Sequence, residues 1–541
     1  MTPPDSPRDP ITRYAEVSDL LEGLRRLPAD RPALTFYRGR TLVGRLGYGQ
    51  LLAGVDRFTR RLRDDLGVRR GDCVSVLSPN RLEVPVLILA AMRLGAAVVP
   101  LNPTTQPSDW DYILEHSESR LIFGARELLA RLLRRPETTC AFEDEPGSAP
   151  ETSGAPLPGL PAADSLAETM AIVLYTSGTT GNPKGVALGQ RSLLANAWSM
   201  AVNFGFRDET QFAVLPLYHA HALGFGLMTT LTTGGHLVFT DRFDPFSWAE
   251  VMRAESVTLT SVVPTLLTPL LQVGVRRDQV PTLRAVLVSS APLSVALAQA
   301  FEAKTAIPLV QGWGLSEYTN FACCLSPDLP DDERRRLLTG DELTSIGSPL
   351  PGTLVRVVGP NGETASAEQR GELQIRGHST MLAYFRDAAA TTAAMTDDGW
   401  LRTGDEGFFR LAGDKPVFFI TGRIKEIIIR DGDKLSPLAI ERRILADLPE
   451  LEGRLVVLGF PHEVHGEEIG VYIEGNEIGD ELAGRLTKTA GDMPADARPK
   501  VILHGAAPIP RTHTGKIQRR KLHPTFAPFG NCRGALRIVR V

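Results

Sequence analysis

Between Gly71 and Pro103 the chain alternates two continuous apolar runs with an apolar helical pattern, and this alternation leaves few folds open. Cys73-Val74-Ser75-Val76-Leu77 and Ala96-Ala97-Val98-Val99-Pro100-Leu101 lack a polar face, so each reads as a strand buried on both sides. Glu83 to Leu94 between them reads as a helix. Two buried strands joined by one helix need a crossover, which implies βαβ units and a parallel sheet. The texture returns at Leu237-Val238-Phe239, Ser261-Val262-Val263-Pro264 and Ala285-Val286-Leu287-Val288, which predicts a second α/β layer. Helices are expected from Tyr48 to about Leu66 and from Gln190 to Met200, and a strand from Phe212 to His219. From Ser345 to Phe409 short strands and turns predict a smaller antiparallel β unit. Pro136 to Leu166 is rich in Pro, Glu, Ser, Ala and Gly without periodicity and reads as a surface connection. The expected fold is α/β: a large N-terminal domain of two layered α/β subdomains plus a small β unit, residues 1–422, and a small mobile α+β C-terminal domain, residues 423–541.

At 541 residues the chain exceeds a single core. Its 43% apolar and 23% charged residues are those of a soluble globular protein. A net charge of −4 supplies no basic field for nucleic acid or anionic lipid. The five cysteines show no metal-ligand spacing, and Cys323-Cys324 are adjacent, which suits packing and a reducing compartment. Met1 to Arg13 has no apolar core, and no run of apolar residues is long enough to span a membrane. A cytoplasmic protein without a transmembrane segment is expected.

The stretch with most chemical content is Ala171-Ile172-Val173-Leu174-Tyr175, a buried strand, followed by Thr176-Ser177-Gly178-Thr179-Thr180-Gly181 and Asn182-Pro183-Lys184-Gly185. Gly178 and Gly181 permit close backbone approach, four hydroxyls offer donors, and Lys184 adds positive charge. Such a loop can grip a polyphosphate, although the Walker pattern G-x-x-x-x-G-K-[ST] is absent.

Six ordered segments then resemble the adenylate-forming superfamily of acyl- and aryl-CoA synthetases, nonribosomal adenylation domains and luciferases, with acyl-CoA synthetases most alike. They are Tyr175–Gly185, Leu215-Pro216-Leu217-Tyr218-His219, Gly312-Trp313-Gly314-Leu315-Ser316-Glu317, Trp400-Leu401-Arg402-Thr403-Gly404-Asp405, Gly422-Arg423-Ile424-Lys425, and Pro510 to Ile517. The resemblance implies ATP, Mg²⁺ and coenzyme A, with a small carboxylic acid as substrate. Thr176, Ser177, Gly178, Thr179, Thr180 and Lys184 would hold phosphates. Ser290, Ala291, Pro292, Gly312, Trp313, Gly314 and Ser316 would surround adenine, with Trp313 as its flat face. Asp405 and Arg423 would meet the ribose. Glu317 would offer a hard oxygen to Mg²⁺. Lys516 would be catalytic, together with Glu317 and His219, its ammonium offsetting repulsion between carboxylate and α-phosphate in the transition state. Lys425 would be the hinge of the small domain, and Gly432 would line the thiol channel that rotation assembles.

Departures from the family pattern refine the expectation. Ala220 stands where amino-acid-activating members carry Asp, so an α-ammonium would lack a partner. Ser316 replaces the usual Thr and keeps its hydroxyl. Asp431-Gly432 puts a negative charge beside the expected thiol path. Ala220, His221, Gly224, Gly312 and Asn320 would form the acyl pocket, and the glycines there, with Gly226 and Gly314, point to room for a fatty or bulky apolar acid. No carrier serine motif follows Lys516, so the acceptor is external: coenzyme A, or a separate carrier protein. Other uses of the adenylate, as in luciferases, and a non-catalytic nucleotide-binding role are the alternatives. The oligomeric state is not legible.

Overall fold

The computed structural model describes residues 14–134, 136–144, 168–176, 182–475, 477–512, 515–532 and 535–541. Within these, strands form three sheets. The expected βαβ unit is present as the strands Cys73–Leu77 and Ala97–Leu101, paired in parallel, with the helix Glu83–Arg93 between them. They belong to a seven-stranded sheet that also holds Met170–Thr176 and Lys184–Gly189. A second parallel run, Leu309–Trp313, Ala285–Val288, Leu259–Val262, Thr210–Ala213, His236–Thr240 and Pro32–Arg38, forms the centre of a thirteen-stranded sheet. Every residue from Val84 to Arg93 is buried, because the helix packs in one core with residues of both sheets, such as Val74, Val98, Phe36 and Leu237. A helix apolar on all sides needs such a double cover.

The strands of the expected antiparallel β unit pair antiparallel, and through Cys323–Cys324 and Ser345–Pro349 the hydrogen bonding runs on from the large sheet to Lys415–Arg423, Leu401–Ala412, Gly371–Gly377 and Thr353–Val358. Two other expectations change. The strand expected over Phe212–His219 stops at Ala213. Pro216 has no N–H for a ladder, and Asn80 fixes the departing chain instead: its amide donates to the carbonyls of Leu215 and Thr240, and its oxygen accepts from Leu217 N at 2.8 Å. The helix from Tyr48 is α-helical to Arg60 and widens to a π-turn over Arg61–Asp65. Most of the 136–166 connection lies outside the described residues.

After Arg423 a short turn, Ile424–Glu426, leads into a third sheet of six strands that includes Ile428–Arg430, Leu455–His462, Gly466–Glu474 and Val501–Gly505. The helix Asp480–Gly491 lies between the last two of these strands. All five cysteines are free thiols: Cys73, Cys323 and Cys324 are buried, Cys140 and Cys532 half-buried. No helix among the described residues is long and apolar enough to cross a membrane.

Inside the shared core Asp56 binds two arginines, Arg25 at 2.9 Å and the buried Arg93. Loss of one member of a buried pair leaves its charge uncompensated, at about 3–5 kcal/mol. Asp56→Asn is therefore expected to lower the urea unfolding midpoint markedly. Glu137→Gln, which breaks a fully surface pair with Arg120, is expected to leave it unmoved.

Candidate active site

The parallel strand Leu309–Trp313 ends where the two halves of the large sheet meet, and the chain turns back sharply after it. A Cβ at Gly314 would overlap the carbonyl of Asn320, so only glycine admits this return. The 3₁₀ turn Ser316–Tyr318 follows, anchored by the buried Tyr318 hydroxyl 3.0 Å from Thr353 Oγ1. It presents Glu317, whose Oε1 accepts from Tyr384 Oη at 2.8 Å. Tyr384 lies on the edge strand Ala383–Tyr384, paired with Lys184–Gly189 of the seven-stranded sheet. The Lys184 ammonium rests 5.0 Å from the Tyr384 ring centre and 3.8 Å from Asp387. Lys184, Tyr384 and Glu317 thus form a chain from the candidate phosphate loop to the candidate metal carboxylate. Thr176 closes the strand before that loop, paired with Lys184. Ser177, Gly178, Thr179 and Thr180 lie outside the described residues.

Asp405 is the second focus. It is buried, and its two oxygens are held separately: Oδ1 by Arg423 Nε at 3.0 Å, Oδ2 by the indole N–H of Trp313 at 2.9 Å. Asp405 and Arg423 are cross-strand partners in register. The Asp405 carboxylate pushes the Arg423 guanidinium above its ordinary pKa. Trp313 was expected only as a flat face; its ring nitrogen also orients the carboxylate.

Lys516 reaches the same place from the far end of the chain. A tight hairpin carries it: Thr512 N donates to the Lys516 carbonyl at 2.7 Å, and Lys516 N to Thr512 Oγ1 at 3.1 Å. Gly515 at the bend has φ +81°, and a Cβ there would meet Thr265 at 3.5 Å, so the hairpin sits against the N-terminal domain. Burial pushes the Lys516 pKa below its ordinary value; Arg423 adds to this, and Asp405, Glu317 and Glu426 oppose it. The ammonium therefore stands within electrostatic reach of both carboxylate foci. Arg519, buried, secures the segment behind it by bonds to Glu426 at 2.6 Å and Glu441 at 2.8 Å. Lys425 is exposed in the turn between the two domains.

The third cluster lies beside the π-helix His221–Thr229, which periodicity did not reveal. Ala220 precedes it, and the His219 and Tyr218 rings lie 4.5 Å apart between centres, tilted at 56°. His221 Nδ1 is 3.2 Å from Ser290 Oγ, and Ser290 adopts φ +72°. Ala291 is half-buried and Pro292 exposed. The expected spaciousness around the glycines is corrected here. A Cβ on Gly312 would stand 2.6 Å from the Phe321 ring, on Gly226 3.2 Å from Ala213, and on Gly224 3.0 Å from the Asn320 amide. These positions are glycine because neighbours press on them, and they do not mark open space for a bulky chain. Gly432 sits at the exposed tip of a hairpin, φ +90°, where the neighbouring Asp431 carboxylate meets His465 Nδ1 at 2.7 Å.

Tyr384, Asn80 and Arg519 were not anticipated. Tyr384 is 67 residues from Glu317 in sequence, and a lone tyrosine carries no spacing signal. No group of three or more metal-ligating side chains occurs among the described residues. Mg²⁺ bound mainly through phosphates and water needs only one or two carboxylates, so Glu317 with one oxygen on Tyr384 fits it.

Comparison with known proteins places these features in company. The family model described as "AMP-binding enzyme" matches residues 22–385. The chain is 34% identical to sulfoacetate–CoA ligase of Cupriavidus necator over 92% of its own length and 93% of the relative's. It is 28% identical to oxalate–CoA ligase of Arabidopsis thaliana, covering 93% and 97%. The ATP-bound crystal structure of MatB from Rhodopseudomonas palustris superposes with a TM-score of 0.81 at 26% identity, covering 95% of this chain and all of that one.

The indole bond to Asp405 is open to test. Trp313→Phe keeps an aromatic face and removes the donor to a charged acceptor, so KM for ATP is expected to rise roughly 10-fold. Wild-type KM in steady-state kinetics would mean that Arg423 alone orients Asp405.

Proposed function

Since the chain belongs to the AMP-binding enzyme family and its curated relatives are CoA ligases, we propose that it joins a carboxylic acid to ATP as an acyl-adenylate, releases pyrophosphate, and transfers the acyl group to coenzyme A. The observation that carries this reading is Lys516, brought from the C-terminal domain to within electrostatic reach of Asp405 and Glu317. A carboxylate attacking the α-phosphorus brings two anions together, and a fixed ammonium between them stabilises the transition state more than the ground state.

The surrounding residues take complementary parts. Asp405, held by Trp313 and Arg423, has oxygens aimed by fixed donors and receives the ribose hydroxyls. Lys184 and Thr176 meet the departing phosphates, with the loop from Ser177 to Thr180. Glu317, one of whose oxygens accepts from Tyr384, would hold Mg²⁺, which would supply charge neutralisation for the phosphates. His219 and Ala220 stand at the entrance of the acyl site. The acyl chain lies beside His221, Gly224 and Asn320. For the second step the C-terminal domain turns about Lys425 and brings the Gly432 hairpin toward the thiol. The Asp431 carboxylate beside that path pairs with His465.

The expectation of a fatty or bulky apolar acid rested on the glycines, and their packing withdraws that support.

Two measurements test the reading. Pyrophosphate exchange across a carboxylic acid panel, followed by mass detection of the thioester, is expected to show acid-dependent exchange and a CoA product; exchange without any CoA thioester overturns the second step. Lys516→Ala is expected to slow exchange by on the order of 10²–10³-fold, the usual effect of deleting one such electrostatic group. The sign of its pH dependence follows from burial. Lys516 works protonated, so activity falls as pH rises through its lowered pKa, and the alkaline limb should lie below the ordinary lysine value of about 10.4. Lys516→Arg should move that limb upward.

A further inference from the structure

Two buried polar side chains of the proposed acyl site, His221 at the start of the π-helix and Asn320 packed against it, have polar atoms that the reading above leaves unexplained. Asn320 and His221 are 7% and 4% exposed. Asn320 Nδ2 and His221 Nε2 are both shut off from solvent and have no hydrogen-bond partner among the described residues. Their neighbourhood is shared. The Asn320 amide lies against Gly224, one turn along the helix from His221, and the ring of Phe321, the next residue, meets the His221 ring edge-on at 5.1 Å between centres.

A buried donor left unmade destabilises the fold by its full desolvation penalty, so two such groups side by side are poor packing for an apolar chain. They suit a ligand that brings the missing acceptor. The imidazole supplies no charge: burial, reinforced by His219, pushes its pKa down to about 3, so it is neutral at pH 7. Ser290 Oγ can donate to or accept from Nδ1; in the tautomer in which it donates, the ring proton is on Nε2, and both His221 and Asn320 present N–H donors.

We infer that the acyl site takes an acid whose chain bears a hydrogen-bond-accepting oxygen, bound by Asn320 Nδ2 and His221 Nε2, in preference to a plain alkanoic acid. The inference rests on the acid-activating function proposed above and gives that site its substrate class. A keto, carboxylate or sulfonate oxygen would each satisfy the pair.

The test uses the full-length protein and three acids of equal chain length: valerate, levulinate and glutarate. Pyrophosphate exchange at subsaturating acid gives relative kcat/KM. The better of the two oxygenated acids is expected to exceed valerate by about 10²-fold or more, because a site built to hydrogen-bond an oxygen rejects the analogue lacking it. Preference for levulinate identifies a neutral carbonyl, and preference for glutarate an anionic group; either supports the inference. Asn320→Leu should bring the ratio close to one. Asn320→Asp, which preserves shape and replaces the donor, should do the same and guards against loss of packing in the leucine variant. Circular dichroism and thermal melting confirm that both variants are folded. Valerate matching or exceeding both oxygenated acids, or a ratio unchanged in folded variants, overturns the inference while the acid-activating function stands. Absence of exchange with these and with a wider acid panel overturns that function, and the inference with it.

Discussion

The Asp405 carboxylate is the point at which the separate parts of this molecule are tied together. One oxygen is held by a tryptophan that ends the parallel half of the large sheet, the other by an arginine at the last position before the chain enters its third sheet. A buried carboxylate needs such partners, since removal from water costs several kcal/mol for an uncompensated ion. Here the two partners come from opposite sides of the site. The need to satisfy one buried charge therefore fixes the relative position of the central strands, the antiparallel extension and the start of the domain crossing. Lys516 feels the same charge: desolvation lowers its pKa, and Asp405, with Glu317 and Glu426, opposes that lowering.

A second chain of contacts, Lys184 to Tyr384 to Glu317, joins the seven-stranded sheet to the large one. It runs through a two-residue edge strand that pairs with the strand after the phosphate loop. Lys184 of one sheet and the Glu317 carboxylate of the other are thus brought together through Tyr384, as the proposed binding of a magnesium-polyphosphate complex would require.

Much of this was legible before any coordinates. The buried strands were read within a residue or two because continuous apolar runs bounded by glycine and proline leave little choice of structure, as at Cys73–Leu77 and Ala285–Val288. The six ordered motifs marked Lys184, Trp313, Glu317, Asp405, Arg423 and Lys516 as candidates, and the structure gathers them about two carboxylates. What failed to show was whatever depends on contacts between distant segments. Pro216 ended a strand that apolar character prolonged, and Asn80, over a hundred residues away, holds the chain that leaves it. The π-helix at His221 has no signature in its mostly apolar residues. The glycines were misread for a related reason. A sequence shows the absence of a side chain, but only the packed neighbours tell whether that absence makes room or is itself filled.

The distribution of thiols has a practical side. Burial pushes the thiol pKa of Cys73 up to about 11, and those of Cys323 and Cys324 far up as well, which leaves these three unreactive toward maleimides at neutral pH. Cys140 and Cys532 are the half-buried pair, one on an edge strand of the seven-stranded sheet and the other beside the C-terminal one. The native chain thus carries its own two attachment points for a donor and an acceptor dye, one on each domain. Energy transfer between them would show whether the C-terminal domain turns during catalysis as proposed, with no engineered cysteine.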